Sequence, residues 1–279
     1  MQKDCHLDRE ELQFWELQKR CGEDIDLKMA RDLPDDAPDY ILKMMSDFEE
    51  EASGFCFAGA AGMVLDAGCG NGNLMLRALK KRAHQTEGPQ GERPRLRITG
   101  MDFSGNMLGR AAQRAAGDDR TAFLRGSVTS LPFSDQSFDH LVSSGVLTCL
   151  PNTDAAESAL LEFYRVLKPG GTLVVDFFNR ASHYTMIRKH VFRESIKPPE
   201  YVTPAEFYET LADAGFSVIS CRGFDFKPCQ GYLFESPWHN LIDPGHIQER
   251  LSCLIERKIA QGQGLNLLGY RIYVRCIRK

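Results

Sequence analysis

Several features that would indicate a secreted, membrane-spanning or metal-binding protein are missing from this sequence. Its nine cysteines include no C-x-x-C pair, the spacing typical of zinc ribbons and redox sites. The densest apolar run, 172–178, contains Asp176 and is far shorter than the roughly 20 residues of a transmembrane helix. Residues 1–11 are too charged for a secretory signal peptide. We therefore expect a cytoplasmic protein with reduced thiols and no membrane span.

An excess of positive charge is also missing. The 34 basic and 38 acidic residues leave a net charge of −4. Sequence-independent binding to nucleic acid depends on a basic face that neutralises phosphates. The charge balance therefore disfavours a nucleic-acid partner, although it leaves room for a local basic patch.

Short apolar segments alternate with helical patterns from residue 63 onward. Most of the first five segments are dense in apolar residues, as strands covered on both faces are. The candidate strands are 63–67, 96–101, 122–126, 138–143, 172–178, 216–221 and 269–276. This alternation predicts an α/β fold built on a doubly wound, Rossmann-like sheet of seven strands, mostly parallel with an antiparallel last strand.

Local signals mark the starts of two of the intervening helices. Thr203 and Glu206 form a capping-box pattern, with Pro204 at the first helical position. Asp154 and Glu157 have the same spacing, so we expect Asp154 to cap another helix.

Three regions lie outside the alternation. Residues 1–62 predict a helical lid, with helices near 10–19 and 39–51. The polar stretch 83–95 predicts a surface loop. Residues 222–262 form an aromatic-rich insert between the last two strands, with a helix beginning near Asp243. We therefore predict a lid over residues 1–62 and a ligand-binding domain over residues 63–279.

The segment 64–73, VLDAGCGNGN, lies where the first predicted strand turns into a helix. Its glycines permit a tight turn and a close approach of ligand to backbone, and open α/β sheets bind ligands at this edge. A nicotinamide motif would need glycine where Asn73 stands. Asp66, two residues before Gly68, can receive an amino group. The pattern therefore favours a cofactor that carries an amino acid over one that carries a pyrophosphate.

The D-x-G-x-G-x-G pattern of residues 66–72 resembles motif I of the class I S-adenosylmethionine-dependent methyltransferases. Four further blocks follow in that family's order: GMDFS at 100–104, GSVTSLPF at 126–133, FDHLVSS at 138–144 and YRVLKPGG at 164–171. The resemblance covers about residues 60–221. It is closest to the small-molecule branch that includes the quinone-biosynthesis C-methyltransferases, and it implies S-adenosylmethionine as cofactor and S-adenosylhomocysteine as product.

The resemblance implies how the amino-acid end of the cofactor is bound. Asp66 and the backbone around Gly68, Gly70 and Asn71 hold the methionine part, and Ser144 lies below the sulfonium.

The resemblance also implies how the nucleoside end is bound. Asp102 accepts from the two ribose hydroxyls, Phe103 lies against the adenine, and Ser127 and Val128 flank the adenine edge. Ser127 departs from the aspartate that is usual in the family, and a hydroxyl accepts a hydrogen bond more weakly than a carboxylate.

Methyl transfer from a sulfonium is an in-line displacement, so alignment and exclusion of water are expected to supply much of the acceleration. An acceptor O–H or activated C–H also needs a proton acceptor. His183, just past the fifth predicted strand, is the first candidate, with Tyr184 beside it. Further candidates are His190, His239 and Asp176. We expect His140 to face the core instead.

Aromatic and sulfur-containing side chains of the lid and the insert are the predicted walls of the acceptor site. An aromatic cup suits a small, partly apolar acceptor, although any one of these residues could equally pack in the core. They are Phe14, Trp15, Tyr40, Met44, Met45, Phe48, Phe224, Phe226, Tyr232, Phe234 and Trp238.

Motifs of other methyltransferase classes are missing after the fourth predicted strand. Ser144 and Gly145 stand where an amino-methylating DNA enzyme carries N/D-P-P-Y/F and where a catechol-type enzyme carries a metal-binding aspartate. We therefore predict a methyltransferase without a metal that acts on O, C or N of a small molecule. A nucleic-acid or protein methyltransferase is the alternative enzyme, and it would need a basic face around the helix residues Arg77, Lys80, Lys81 and Arg82. A non-catalytic S-adenosylmethionine-binding partner protein is the other alternative, and the oligomeric state is left open.

Overall fold

The computed structural model describes residues 9–17, 26–28, 39–83, 96–190, 193, 196, 199–224 and 265–279. Its helices are α1 (Arg9–Glu16), α2 (Asp39–Cys56), α3 (Asn73–Ala83), α4 (Gly105–Arg114), α5 (Thr153–Val166), α6 (His183–His190) and α7 (Pro204–Asp213). Its strands are β1 (Gly62–Ala67), β2 (Leu96–Asp102), β3 (Thr121–Arg125), β4 (Phe138–Ser143), β5 (Leu167–Asn179), β6 (Tyr201–Val202), β7 (Phe216–Phe224) and β8 (Arg271–Arg278). No helix in these ranges is both long enough and apolar enough to cross a bilayer.

All the long strands join one sheet in the order β3-β2-β1-β4-β5-β8-β7. The first five strands are parallel, and β8 runs antiparallel to both β5 and β7. The predicted seven-stranded, doubly wound sheet with an antiparallel last strand is therefore confirmed. The eighth strand, β6, pairs with the end of β5 and was not predicted, because two residues are too short to produce a periodic signal.

The strand order reverses between β1 and β4, and such a reversal opens a crevice at the carboxyl ends of the parallel strands. Asp66 at the end of β1 is level with Gly100 on β2 and with Val142 on β4. Because β8 is antiparallel, it begins at this same edge, and its first residue, Arg271, pairs with Phe178 near the end of β5. Four strands thus bring side chains to one place.

Helices cover both faces of the sheet, and side chains alternate between them along each strand. On β1, Leu65 packs into the cluster that contains α5 and α7 residues, whereas Val64 packs into the cluster that contains α2 and α3 residues. Both are completely buried, and burying such a side chain contributes about 1.5–3 kcal/mol. The two cores fix the strand ends that form the crevice.

His140 lies in the second of these cores, as expected. It is 2% exposed on β4. Its Nε2 lies 2.8 Å from the carbonyl oxygen of Cys56 in α2, and its Nδ1 contacts the Thr172 hydroxyl of β5. The ring therefore links a helix to two strands and lies away from the crevice.

One predicted helix cap is confirmed and the other is wrong. Thr203 and Glu206 form the reciprocal capping box, with Pro204 at the start of α7. At α5 the cap is Asn152, which is extended (φ −163°, ψ 172°) and accepts from the Ala155 amide at 2.9 Å. Asp154 lies inside the first turn instead.

The two predicted N-terminal helices correspond to α1 and α2. The predicted lid boundary at residue 62 stays a prediction. Of the predicted surface loop 83–95, residue 83 ends α3 and residues 84–95 lie outside the described residues. Of the predicted insert 222–262, residues 222–224 belong to β7 instead, and the rest, with the expected helix at Asp243, lies outside the described residues.

Candidate functional site

The turn after β1 holds its shape through backbone hydrogen bonds and glycine. The amides of Gly68 and Cys69 donate to the carbonyl oxygen of Met101 at 2.7 and 3.0 Å. Gly68 has φ +80°, and a Cβ there would lie 2.1 Å from a methyl carbon of Val146. Only glycine therefore allows the turn to lie against the segment that follows β4.

A cavity of about 530 Å³ opens at this edge of the sheet. All nine residues that the sequence predicts as cofactor-binding line it: Asp66, Gly68, Gly70, Asn71, Asp102, Phe103, Ser127, Val128 and Ser144. The two predicted catalytic residues, His183 and Tyr184, do not line it. The motifs thus converge on one site, whereas the two predicted catalytic side chains lie outside its wall.

Asp66 is a buried carboxyl group in the wall of this cavity. It is 2% exposed, and within the described ranges its Oδ2 has no hydrogen-bond partner. Burial, followed by the nearby carboxylates of Asp102 and Glu49, raises the pKa of Asp66 to about 8. A buried carboxylate of this kind is stabilised by a cationic donor, so it is suited to an ammonium group.

Asp102, at the end of β2, braces the glycine-rich turn. Its Oδ2 accepts from the Gly70 amide at 2.7 Å, and its Oδ1 accepts from the Ser104 amide at 2.9 Å. Burial raises its pKa, although these backbone hydrogen bonds oppose the shift. Each carboxylate oxygen can accept a second hydrogen bond, so two adjacent hydroxyls of a ligand can still be bound.

The segment directly after β3, residues 126–128, forms another part of the cavity wall. The Gly126 amide donates to the carbonyl oxygen of Asp102 at 3.0 Å. The Ser127 hydroxyl lies 2.9 Å from the Thr129 hydroxyl and accepts from the Thr129 amide. Ser127 thus stabilises its own turn, while Val128 is buried beside it.

Helix α1 lies over the end of the cavity that contains Asp102. Trp15 lines the cavity, and its carbonyl oxygen accepts from the Ser104 hydroxyl at 3.2 Å. Glu16 accepts from the amides of Gly105 and Asn106 at the start of α4, where a carboxylate is favoured by the helix dipole. The Gly105 hydrogen bond is the main cause that lowers the pKa of Glu16. Helix α1 therefore covers this side of the cavity.

The other end of the cavity contains a buried ion pair. Arg271 Nε donates to Asp176 Oδ2 at 2.6 Å, and the Gly145 amide donates to Asp176 Oδ1 at 2.6 Å. Asp176, a candidate proton acceptor from the sequence, is thus committed to Arg271 and does not line the cavity. Arg271 and Glu200 do line it and were not predicted. The signal that could have identified Arg271 is the antiparallel strand, whose first residue lies at the ligand-binding edge.

The remaining predicted catalytic side chains lie farther out. His183 is exposed at the start of α6, and His190 is exposed at its end. The Tyr184 ring is half-buried and packs edge-to-face on Tyr270 at 4.8 Å. His239 lies outside the described residues. The roles of His183 and Tyr184 stay predictions.

Most of the predicted aromatic walls are core residues or lie outside the description. Trp15 lines the cavity, whereas Phe14 is exposed. Phe48 and Phe224 are buried and pack edge-to-face at 5.0 Å. Met44 and Met45 are also buried. The side chains outside the description are Tyr40, Phe226, Tyr232, Phe234 and Trp238.

Comparison with known proteins agrees with the geometry of the cavity. Residues 65–175, which include the glycine-rich turn and four of the strand ends, match the family model described as a methyltransferase domain. This match identifies residues 65–175, about two fifths of the chain, as a methyltransferase domain.

Relatives of this methyltransferase domain include two named quinone enzymes. The chain is 42% identical over 114 residues to a ubiquinone/menaquinone biosynthesis C-methyltransferase of Desulfotalea psychrophila, a match covering 41% of this chain and 40% of the relative. It is 38% identical over 110 residues to a demethylmenaquinone methyltransferase of Staphylococcus aureus, covering 39% and 40%. The chain thus matches about two fifths of the length of these relatives.

The methyltransferase domain also has the fold of solved structures. Magnesium protoporphyrin IX methyltransferase of Synechocystis PCC 6803, solved with bound S-adenosylhomocysteine, superposes with a TM-score of 0.56 at 14% identity, covering 97% of this chain and 94% of that one. S-adenosylmethionine is the cofactor of this class of domain. The residues present fit it, because the unpartnered Asp66 Oδ2 supplies an acceptor for its ammonium group.

Proposed function

We propose that the chain transfers the methyl group of S-adenosylmethionine to a carbon atom of a small, oxygen-bearing aromatic acceptor of the kind methylated in quinone biosynthesis. The observation that carries the proposal is the buried, unpartnered carboxylate of Asp66 in a cavity lined by all nine predicted cofactor residues. The printed name of the Desulfotalea psychrophila relative, a C-methyltransferase, supports the carbon acceptor, and both relatives are matched over about two fifths of their length.

When bound, the cofactor supplies a methyl group on a positively charged sulfur. The protein's part is to align and to exclude water. In the proposed arrangement Asp66 holds the ammonium group, Asp102 holds the ribose hydroxyls, and Ser144 lies near the sulfonium, with α1 and Trp15 closing the nucleoside end. The acceptor then approaches from the end of the cavity that contains Phe178, Glu200 and Arg271.

We propose Glu200 as the group that receives the acceptor's proton. Glu200 lines the cavity and directly precedes Tyr201, which pairs with Phe178 on β5. A carboxylate at the acceptor end can accept a proton from an O–H or an activated C–H. His183 and Tyr184 are the second candidates, since α6 begins close behind β5 in the chain but its first residue is exposed.

The helix residues that could have formed a basic face have local partners. Arg77 and Lys81 lie 3.5 and 3.7 Å from the Glu50 carboxylate, and Arg82 donates to the carbonyl oxygen of Ala60. These contacts reduce the positive charge available to phosphates and so favour a small-molecule acceptor over nucleic acid.

A cytoplasmic location also stays a prediction.

The proposal is tested by incubating the protein with S-adenosylmethionine labelled at its methyl carbon and with 1,4-dihydroxynaphthalene, a hydroquinone with an unsubstituted ring carbon. We expect a labelled C-methyl product by mass spectrometry and NMR. Glu200→Gln should lower the rate at least about tenfold at unchanged cofactor affinity, and His183→Gln should leave it within about twofold. An O-methyl product alone, or full activity of Glu200→Gln, would contradict the proposed chemistry.

A further inference from the structure

Arg271 is a buried cation with a rigid setting at the acceptor end of the cavity. Its side chain is 7% exposed. Its guanidinium carbon lies 5.8 Å from the ring centre of Phe48, 5.7 Å from that of Phe178 and 5.2 Å from that of Tyr273. Rings at these distances attract the cation through their negative faces. The guanidinium is therefore held in place before any ligand arrives.

The hydrogen bonds of Arg271 use only part of its donor capacity. Nε is bound to Asp176, and Nη2 donates to the Ser144 hydroxyl at 3.2 Å. A guanidinium has five N–H donors, and among the residues that the structure describes Nη1 has no hydrogen-bond partner. Because Arg271 lines the cavity, this donor capacity is available to a ligand. Burial works against the charge of Arg271, but the Asp176 carboxylate outweighs it and raises the pKa of Arg271 above its ordinary value. The group is a permanent cation.

The ion pair is connected to the turn where the cofactor is expected. Asp176 also accepts from the Gly145 amide, and Arg271 Nη2 lies 3.0 Å from the position of a Cβ on Gly145. The next residue, Val146, touches Gly68 in the glycine-rich turn. A group bound by Arg271 therefore lies beside the segment that the proposed function places near the sulfonium.

The chemistry of methyl acceptors explains what such a cation can do. A phenol or enol becomes a stronger nucleophile when it loses its proton, and the resulting negative oxygen needs a fixed donor in a water-poor cavity. Guanidinium groups bind anionic oxygens with short, strong hydrogen bonds. Resting on the proposed function, we propose that Arg271 binds a negatively charged oxygen of the acceptor, either a phenolate or enolate or a carboxylate, and so selects anionic acceptors.

A purely structural role for the Arg271–Asp176 pair predicts something different. The pair joins β5 to β8, so its loss would lower stability without any effect on which small molecules bind. Removing one partner alone leaves a buried charge uncompensated and is strongly destabilising. Two variants are therefore informative. The double substitution Arg271→Gln with Asp176→Asn removes both charges together, and Arg271→Lys keeps the positive charge but loses the planar guanidinium.

The experiment measures the affinity of simple probes for protein saturated with S-adenosylhomocysteine. The carboxylate probe is benzoate with benzamide as its neutral counterpart, and the phenolate probe is ionised 4-nitrophenol with 4-nitroanisole. We expect at least one anion to bind about tenfold more tightly than its neutral counterpart, and the probe that does so identifies the oxygen class. Thermal unfolding verifies that each variant is folded.

The variants decide whether Arg271 is responsible for this preference. The double variant should lose the preference while its affinity for S-adenosylhomocysteine changes less than about threefold, and Arg271→Lys should retain part of it. Arg275→Gln, a substitution on the same strand at a side chain that donates to Phe55 outside the cavity, should keep all of it. Equal binding of anions and neutral probes by the wild type, or an unchanged preference in the double variant, overturns the inference. Failure of the wild type to bind S-adenosylhomocysteine overturns the proposed function instead, and the acceptor site with it.

Discussion

At the scale of single residues, the buried carboxyl group of Asp66 lowers the stability of the unliganded protein at neutral and higher pH but favours binding of the cofactor. Burial, with Asp102 and Glu49 nearby, raises the pKa of Asp66 to about 8, so the unliganded protein holds a proton there at pH 7. An ammonium group favours the ionised form. We therefore predict that S-adenosylmethionine binding at pH 7 releases about one proton, and that affinity rises with pH until about pH 8. Calorimetry in buffers of different ionisation enthalpy measures this release, and a binding constant that is flat between pH 6 and 9 would contradict it.

The same raised pKa has a stability consequence with a defined sign. An unfolded aspartate titrates near 3.8, whereas Asp66 in the folded protein titrates near 8, so the stability it contributes below pH 3.8 is lost as pH rises through 8. Asp66→Asn should therefore raise the melting temperature of the unliganded protein at pH 8, and by less at pH 5. It should also weaken S-adenosylhomocysteine binding at least about tenfold.

A matched control for this prediction is Asp119→Asn. Asp119 is an exposed aspartate that does not line the cavity. Its substitution should change neither the melting temperature nor the affinity. If Asp66→Asn behaved like Asp119→Asn, the carboxylate of Asp66 would have no part in the site.

The cofactor residues could be predicted from sequence because each lies at the carboxyl end of a parallel strand with a strong apolar pattern. Asp66 and Asp102 end β1 and β2 in this way. Arg271 could not be found by the same rule, since it begins an antiparallel strand that is separated from the motifs by a long insert. Its partnership with Asp176 is also a contact between residues 95 positions apart, and local spacing contains no information about it.

At the scale of elements, the start of α5 offers two candidate caps: Asp154, which the sequence pattern predicts, and Asn152, which caps the helix in the structure. Asn152 accepts from the Ala155 amide, so Asn152→Ala should cost about 1 kcal/mol of unfolding free energy. Asp154 lies in the first turn, where its charge contributes less than about 1 kcal/mol through the helix dipole. Denaturant unfolding compares the two variants. A larger loss for Asp154→Ala than for Asn152→Ala would contradict the cap at Asn152.

The sequence could not separate these two caps because both residues precede the same apolar face at nearly the same spacing. The backbone decides, since Asn152 is extended and Asp154 is already helical. At α7 there is no such competition, because Pro204 fixes the first helical position and Thr203 directly precedes it, with a hydroxyl that accepts from the Glu206 amide. The capping pattern with a proline at the first helical position therefore predicts the cap of α7 correctly. The pattern at α5, which has no proline at that position, places the cap two residues too late.

At the scale of the whole molecule, His140 connects helix α2 to the sheet. Burial is the main cause that lowers the pKa of His140 to about 4, against about 6.5 in an unfolded chain. Its contribution to stability is present above pH 6.5 and is lost as pH falls through 4. His140→Gln should therefore show a flatter fall of melting temperature between pH 7 and 4.5 than the wild type. Parallel curves for the two proteins would assign the acid sensitivity to other groups.

The strand order of the sheet explains why the class of cofactor can be predicted from the sequence more readily than the acceptor molecule. Parallel strands β1, β2 and β4 bring contiguous motifs to one crevice, whereas the proposed acceptor end is lined by residues on or next to β5, β6 and β8, which are far apart in sequence. The predicted sheet was confirmed for this reason. The predicted proton acceptors on α6, which were chosen by closeness in the chain, were not brought to the cavity wall.

We propose that the crevice beside Asp66 and Asp102 binds S-adenosylmethionine, and titration calorimetry with S-adenosylhomocysteine measures such binding directly. We expect micromolar binding by the wild type and a loss of at least about tenfold, or 1.4 kcal/mol, in Asp102→Ala, because that carboxylate braces the glycine-rich turn and is proposed to bind the ribose. Undetectable binding by wild-type protein with a cooperative unfolding transition would contradict it.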